Sequence, residues 1–231
     1  NLEGLRTLLD VAVGAGIDKF VFSSSAAVYG EADVELVTEQ TPCTPASPYG
    51  ETKLVGEWLI KGVARARRRA GGEFGYANLR YFNVAGAGAP ELGDPVALNL
   101  IPMVCEKLDA GQHPLIFGDD YATPDGTCIR DYIHISDLAE AHLLSVEHLL
   151  KGGASNTFNV GTGEGCSVRE VIQAVEEVTG RKVPCKLGPR RDGDAPSLVA
   201  NSDKLKTTLQ WRPRYTGIRE IVETAWAFSN R

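Results

Sequence analysis

The sequence predicts an α/β fold: a parallel sheet covered by helices, with a smaller α/β lobe beside it. Three observations predict it. Residues 19–23 form an apolar run of the kind buried in parallel sheets. Residues 48–69 read as a long helix that opens after a serine and a proline, and residues 76–83 read as the next strand. Strand, helix and strand in that order imply right-handed crossovers and helices packed on the sheet faces.

Each element has a local reason. In residues 1–15, Leu2, Leu5, Leu8, Leu9 and Ala12 recur at helical spacing, and Gly14 and Gly16 end the helix. The strand at 19–23 runs into a turn of small residues that carries Ser25. The helix at 48–69 finishes with Arg65, Arg67, Arg68 and Arg69, which complement the negative end of its dipole and stay solvated. A further helix is expected near 136–150 and a strand at 157–160. Gly161, Gly163 and Gly165 follow that strand, but their spacing and the capping chemistry after them do not match a dinucleotide fingerprint. Ser167 and Glu170 form a capping box that starts a helix at 168–179.

Composition narrows the function. The chain has 231 residues, enough for one large domain or two small ones. At 43% hydrophobic and 23% charged it is an ordinary globular sequence. A net charge of -6 argues against nucleic acid or an anionic membrane as partner. No stretch reaches the length of a membrane-spanning helix, and no secretory signal opens the chain. Five cysteines without Cys-x-x-Cys spacing point to reduced thiols and a cytoplasmic location. The four histidines form no metal-ligand pattern, so no metal is expected.

The chemistry gathers at Ser25, Tyr49 and Lys53. Tyr49 and Lys53 are four residues apart, so they share a helix face. That face is expected to point toward the end of the strand that carries Ser25. An ammonium beside a phenol lowers the phenol pKa. Tyr49 is thus a candidate general base, with Ser25 positioning or relaying the proton. Tyr-x-x-x-Lys alone also occurs in ordinary helices; the serine-rich phrase at 23–30 makes the pair specific.

Together the two phrases resemble the extended short-chain dehydrogenase/reductase family. The resemblance implies a Rossmann-like parallel sheet, an NAD cofactor and a smaller α/β substrate-binding lobe. A complete domain of that type begins with a strand and a Gly-rich turn against the pyrophosphate. Nothing before Ser25 has that form, so the sheet is expected to be incomplete, with its first half missing. Residues 1–84 are then the carboxy-terminal half of the NAD-binding domain, with 131–162 returning to it. Residues 85–130 and 163–231 form the substrate lobe.

A second constellation follows. Arg130 and Arg191 suit a bidentate grip on a diphosphate. Asp194 suits ribose hydroxyls, Asn83 and Asn99 offer amide donors, and Phe117 offers an apolar face to a pyrimidine. Each has a plainer reading: Arg130 can pair locally with Asp131, and 190–194 can be a solvated loop. The phrases at 125–134, 137–142 and 189–194 resemble the branch of the family that epimerises UDP-hexoses at C4. That resemblance implies that Asn83, Asn99, Leu100, Phe117, Arg130, Arg191 and Asp194 contact UDP. It places Tyr49, Lys53 and Phe82 at the nicotinamide end of NAD and Tyr132 along the nucleotide-sugar cleft. It implies that Tyr49 takes the 4-hydroxyl proton while hydride leaves C4 for NAD+, giving a 4-keto sugar that turns over before reduction. Lys53 then lowers the tyrosine pKa and holds the nicotinamide ribose. Leu198 lines the sugar pocket by the same resemblance, or is an ordinary apolar strand residue.

Rival readings remain open at this stage. A 4,6-dehydratase carries an Asp-Glu pair where this chain has Ala26 and Ala27, which disfavours it. A 4-epimerase of UDP-N-acetylglucosamine or of UDP-glucuronate is an alternative, and so is a truncated, inactive fragment. The family commonly forms homodimers through the helices at 1–15 and 48–69, where Leu54, Val55, Trp58 and Leu59 can serve the seam or the sheet.

Overall fold

The computed structural model describes residues 1–94 and 96–229. Helix α1 (Leu2–Gly14) leads into strand β1 (Lys19–Ser23). A short 3-10 turn (Ala26–Val28) precedes helix α2 (Pro48–Arg69) and strand β2 (Gly75–Tyr81). With β6 (Asn156–Val160) these strands form a parallel sheet in the order β1-β2-β6. Ser47 opens α2 by accepting a hydrogen bond from Gly50 N at 3.2 Å, and Pro48 sits in the first turn, where its missing N–H costs nothing. Helix α2 lies on the sheet and against α1, with Leu9, Ile60 and Phe74 buried between them. Gly56 makes the close approach possible: a Cβ there would sit 2.7 Å from the Phe22 ring and 3.0 Å from Leu5.

The strand expected at 76–83 breaks at Phe82. Strand β2 ends at Tyr81, and the chain enters a second sheet as β3 (Asn83–Ala85). Phe82 stays tied to the first sheet by donating its N–H to Val160 O at 3.1 Å. Strand β3 pairs in parallel with β5 (Ile129–His134). Strand β5 pairs in antiparallel fashion with β7 (Gly165–Ser167) and in parallel with β9 (Ser197–Leu198). A third pair joins β4 (Leu115–Phe117) to β8 (Lys186–Gly188).

Helices α3 (Leu100–Asp109), α5 (Val168–Thr179) and α7 (Ile218–Ser229) enclose one apolar core around β5 and Tyr132. Helix α4 (Ile135–Leu150) and helix α6 (Asp203–Leu209) close the other against β2 and β6, with Trp211 fully buried. The capping box is present: Ser167 and Glu170 each bond the other's backbone N–H.

The glycine-rich turn after β6 wraps a carboxylate of the chain itself. Buried Asp131 accepts from Thr162 N at 2.8 Å, Thr162 Oγ1 at 2.9 Å, Gly163 N at 2.9 Å and Ala200 N at 3.1 Å. A Cβ at Gly161 would fall 2.6 Å from that carboxylate, so glycine is needed for the turn to close over it. The backbone donors that could have cradled a phosphate are thereby used inside the fold.

Candidate active site

Ser25 leaves β1 in extended conformation and starts the 3-10 turn, its Oγ accepting from Ala27 N at 3.2 Å. Tyr49 lies in the first turn of α2. Between the two stands Gly50, where any Cβ would overlap the Ala27 carbonyl oxygen. Glycine therefore lets the helix start rest directly on the serine turn. Ser25 and Tyr49 face one cavity of about 670 Å³, together with Phe82, Asn83 and Asn99. Its wall follows the C-terminal ends of β2 and β3, where open α/β sheets bind their ligands.

Lys53 stands one helical turn behind Tyr49. Its Nζ donates to Ser23 O at 2.8 Å and lies 5.4 Å from the centre of the Phe22 ring and 5.5 Å from that of Tyr49. The electrostatics differ from the expectation. Burial holds the Tyr49 phenol above its ordinary pKa, opposed by a smaller lowering from the Ser25 hydroxyl. Burial also holds the Lys53 ammonium below its ordinary value. Desolvation of the phenolate sets the direction for Tyr49, and the Lys53 ammonium rests on a backbone carbonyl of β1.

The second constellation divides into two pairs. Arg130 Nη2 donates to Asp194 Oδ1 at 2.5 Å, and Asp131 is engaged elsewhere, so Arg130 pairs across the loop rather than with its neighbour. Arg191 lies over the Phe117 ring, with Cζ 3.8 Å from the ring centre. Leu198 stands opposite Arg130 in the β5–β9 pairing and packs, half-buried, beside Val37 and Ala200. The loop that carries these residues reaches the first group: a Cβ at Gly193 would meet Ala46, just ahead of the α2 cap, at 3.5 Å. Leu100 opens α3 beside Asn99 and packs partly against the core.

Tyr132 does not join them. It is 6% exposed, inside the core around β5. The space it borders is a separate cavity with Thr162, Glu164, Ile218 and Arg219, and burial raises its phenol pKa strongly.

Residues that the sequence reading passed over lie beneath the site. Glu57, on α2 one turn beyond Lys53, is fully buried. It accepts Arg80 Nε at 2.7 Å, Arg80 Nη2 at 2.6 Å and Ser24 Oγ at 2.7 Å. The signal available was the i, i+4, i+8 series Tyr49, Lys53, Glu57, which puts a carboxylate on the helix face that meets the sheet.

The geometry agrees with what comparison finds. The model of the NAD dependent epimerase/dehydratase family matches residues 1–161. The chain belongs to that family. It is similar to the UDP-glucose 4-epimerase of Azospirillum brasilense, at 48% identity over 97% of this chain and 64% of the relative. A crystal structure of a UDP-glucose 4-epimerase superposes with a TM-score of 0.92 at 44% identity, over 99% of this chain and 69% of that one. A second, from Stenotrophomonas maltophila with bound NAD and formylated UDP-arabinopyranose, superposes with a TM-score of 0.91 at 39% identity, over 99% and 68%. The chain thus spans about two thirds of the length of these relatives. The relatives are named for epimerisation at C4 of UDP-glucose, and the second of the two structures holds NAD. Among the described residues, no helix is long and apolar enough to cross a membrane.

Proposed function

We propose that the protein interconverts UDP-glucose and UDP-galactose by NAD-dependent inversion at C4 through a 4-keto sugar, in galactose metabolism. The observation that carries the proposal is the shared cavity of Ser25 and Tyr49 at the strand ends, with Lys53 one turn behind. The residues present suit NAD. Phe82 is 5% exposed and offers an apolar wall, while Tyr49 and Lys53 supply a hydroxyl and an ammonium from adjacent turns of one helix. These three would hold its nicotinamide end. When bound, NAD supplies the hydride acceptor and donor.

The chain's own work is proton handling and grip. Tyr49 Oη takes and returns the proton of the sugar 4-hydroxyl, and Ser25 aligns it. An ammonium that approaches the phenolate offsets the burial that holds the Tyr49 pKa high. Arg130, Arg191 and Asp194 grip the diphosphate and ribose, Phe117 the uracil, and Asn83, Asn99 and Leu100 border them. Leu198 borders the sugar. Tyr132 acts from the core, supporting β5 and Arg130. In this reading residues 1–84 with 131–162 hold the cofactor, and 85–130 with 163–231 hold the UDP-sugar.

Leu8, Val11 and Trp58 are exposed on α1 and α2, which supports a homodimer seam there; Leu54 is excluded, since it is buried against the serine turn. The five cysteines are free thiols, which supports a cytoplasmic location.

The test is direct. The protein as isolated from its source, supplied with NAD and UDP-glucose, is followed by proton NMR of the sugar anomeric region. Appearance of UDP-galactose, absent with Tyr49→Phe, is the expected result. No turnover with NAD bound would overturn the assignment, and turnover of UDP-N-acetylglucosamine or UDP-glucuronate alone would move it to another UDP-sugar.

A further inference from the structure

Glu57 and Arg80 form a buried ion pair whose further hydrogen bonds lead to the serine turn, while the partly exposed Lys61 ammonium lies 3.8 Å from the same carboxylate. The carboxylate and guanidinium meet through two parallel bonds, a fork geometry that fixes angle as well as distance. Glu57 also accepts the Ser24 hydroxyl at 2.7 Å, on the residue just before Ser25. Arg80 Nη1 donates to Tyr29 Oη at 2.9 Å, and Tyr29 closes the 3-10 turn that Ser25 begins. Tyr29 Oη in turn donates to Asn159 Oδ1 at 2.6 Å, on β6. Ser25 is therefore held on both sides by one network. The same carboxylate belongs to the helix that carries Tyr49, and the same guanidinium to the strand that leads to Phe82.

Folding alone gives little reason for such a pair. Replacing a buried ion pair by apolar side chains of similar volume is often neutral or stabilising, because desolvation cancels the attraction. Apolar contacts could fill the space between α2 and β2, but they could not set the rotation of the helix against the turn.

We infer that Glu57 and Arg80 are positioning residues that hold the Ser25 hydroxyl in register with the Tyr49 hydroxyl. The inference deepens the proposed epimerase reading and rests on it for its kinetic form. It also has a form independent of activity: if the network places Ser25, then loosening it withdraws the hydroxyl that opposes the rise in the Tyr49 pKa.

Two variants test it. Ser24→Ala removes one bond to Glu57 and leaves the ion pair intact. The double variant Glu57→Met with Arg80→Met removes both buried charges, and Lys61, which also pairs with Glu57, is exposed enough to turn to solvent. With NAD and UDP-glucose, each is expected to lose at least tenfold in kcat, with KM within twofold and the pH profile of kcat displaced upward. In parallel, the 13Cζ resonance of Tyr49, assigned by its loss in Tyr49→Phe, is titrated in the same proteins. It is expected to titrate higher in Ser24→Ala than in the parent. If the double variant does not fold, Ser24→Ala decides alone. Parental kcat in either folded variant, or an unmoved Tyr49 titration in Ser24→Ala, overturns the inference. If the parent itself shows no turnover, the proposed function fails, and the Tyr49 titration still decides the positioning role.

Discussion

Two regions of the molecule hold their functional side chains in opposite ways. Ser25, Tyr49 and Lys53 sit on regular elements whose mutual placement is fixed from below by the buried Glu57–Arg80 pair and from the side by Gly50. Phe117, Arg130, Arg191 and Asp194 come from short strands and a loop, and they hold one another: Arg130 on Asp194, Arg191 on Phe117. The first region suits a step that needs fixed geometry, a proton passed between hydroxyls. The second suits a grip that forms around a ligand, since its charged groups are partly exposed and lie on short strands and a loop. Rigidity under the reacting atoms and adjustability under the handle is the division that the proposed function calls for.

That contrast can be broken in order of effect. Glu57→Ala leaves the Arg80 guanidinium, 4% exposed, without its carboxylate, and is expected to cost about 3–5 kcal/mol in denaturant unfolding. A loss below about 1 kcal/mol would show the first region is not anchored there. Gly50→Ala forces a methyl against the Ala27 carbonyl and should cost about 1–3 kcal/mol while displacing Tyr49. Asp194→Asn weakens a partly exposed pair and should change stability by less than about 1 kcal/mol, yet weaken UDP binding measured by calorimetry.

The smallest effect is on pH dependence. Tyr29, pushed up to about 12 by burial, and Tyr49, raised in the same direction, keep their protons in the fold after an unfolded tyrosine has lost its own. The folded state then binds more protons above about pH 10, so stability falls as pH rises through that range. Tyr49→Phe removes the Tyr49 share and should flatten the alkaline limb of thermal stability; an unchanged slope would mean that Tyr49 is not buried enough to matter.

How much of this was legible depended on range in the sequence. The strand at 19–23, the helix at 48–69 and the Ser167–Glu170 capping box are local patterns, and each is formed as read. Tyr49 and Lys53 do share a helix face. The reach of Lys53 was not legible, because the carbonyl it binds, Ser23 O, lies 30 residues away. The spacing of Tyr49, Lys53 and Glu57 hinted at the face Glu57 takes, but its pairing with Arg80 was not legible, because the partner strand lies 23 residues on. The break at Phe82 follows from pairing with β6 and β5, more than 45 residues on, which no local propensity reports. Tyr132 sits in a short run whose alternation does not say which face meets the cavity. Its pairing with Asn83 and its core neighbours decide that.

The most direct test of the division sets Tyr49→Phe beside Arg191→Ala in one kinetic experiment with NAD and UDP-glucose. Loss of the proton-handling hydroxyl should lower kcat by about 100-fold or more with KM nearly unchanged. Loss of the exposed arginine over Phe117 should raise KM with kcat nearly unchanged. If both variants fall in kcat alone, or both in KM alone, the two regions do not have separate roles and the account is wrong.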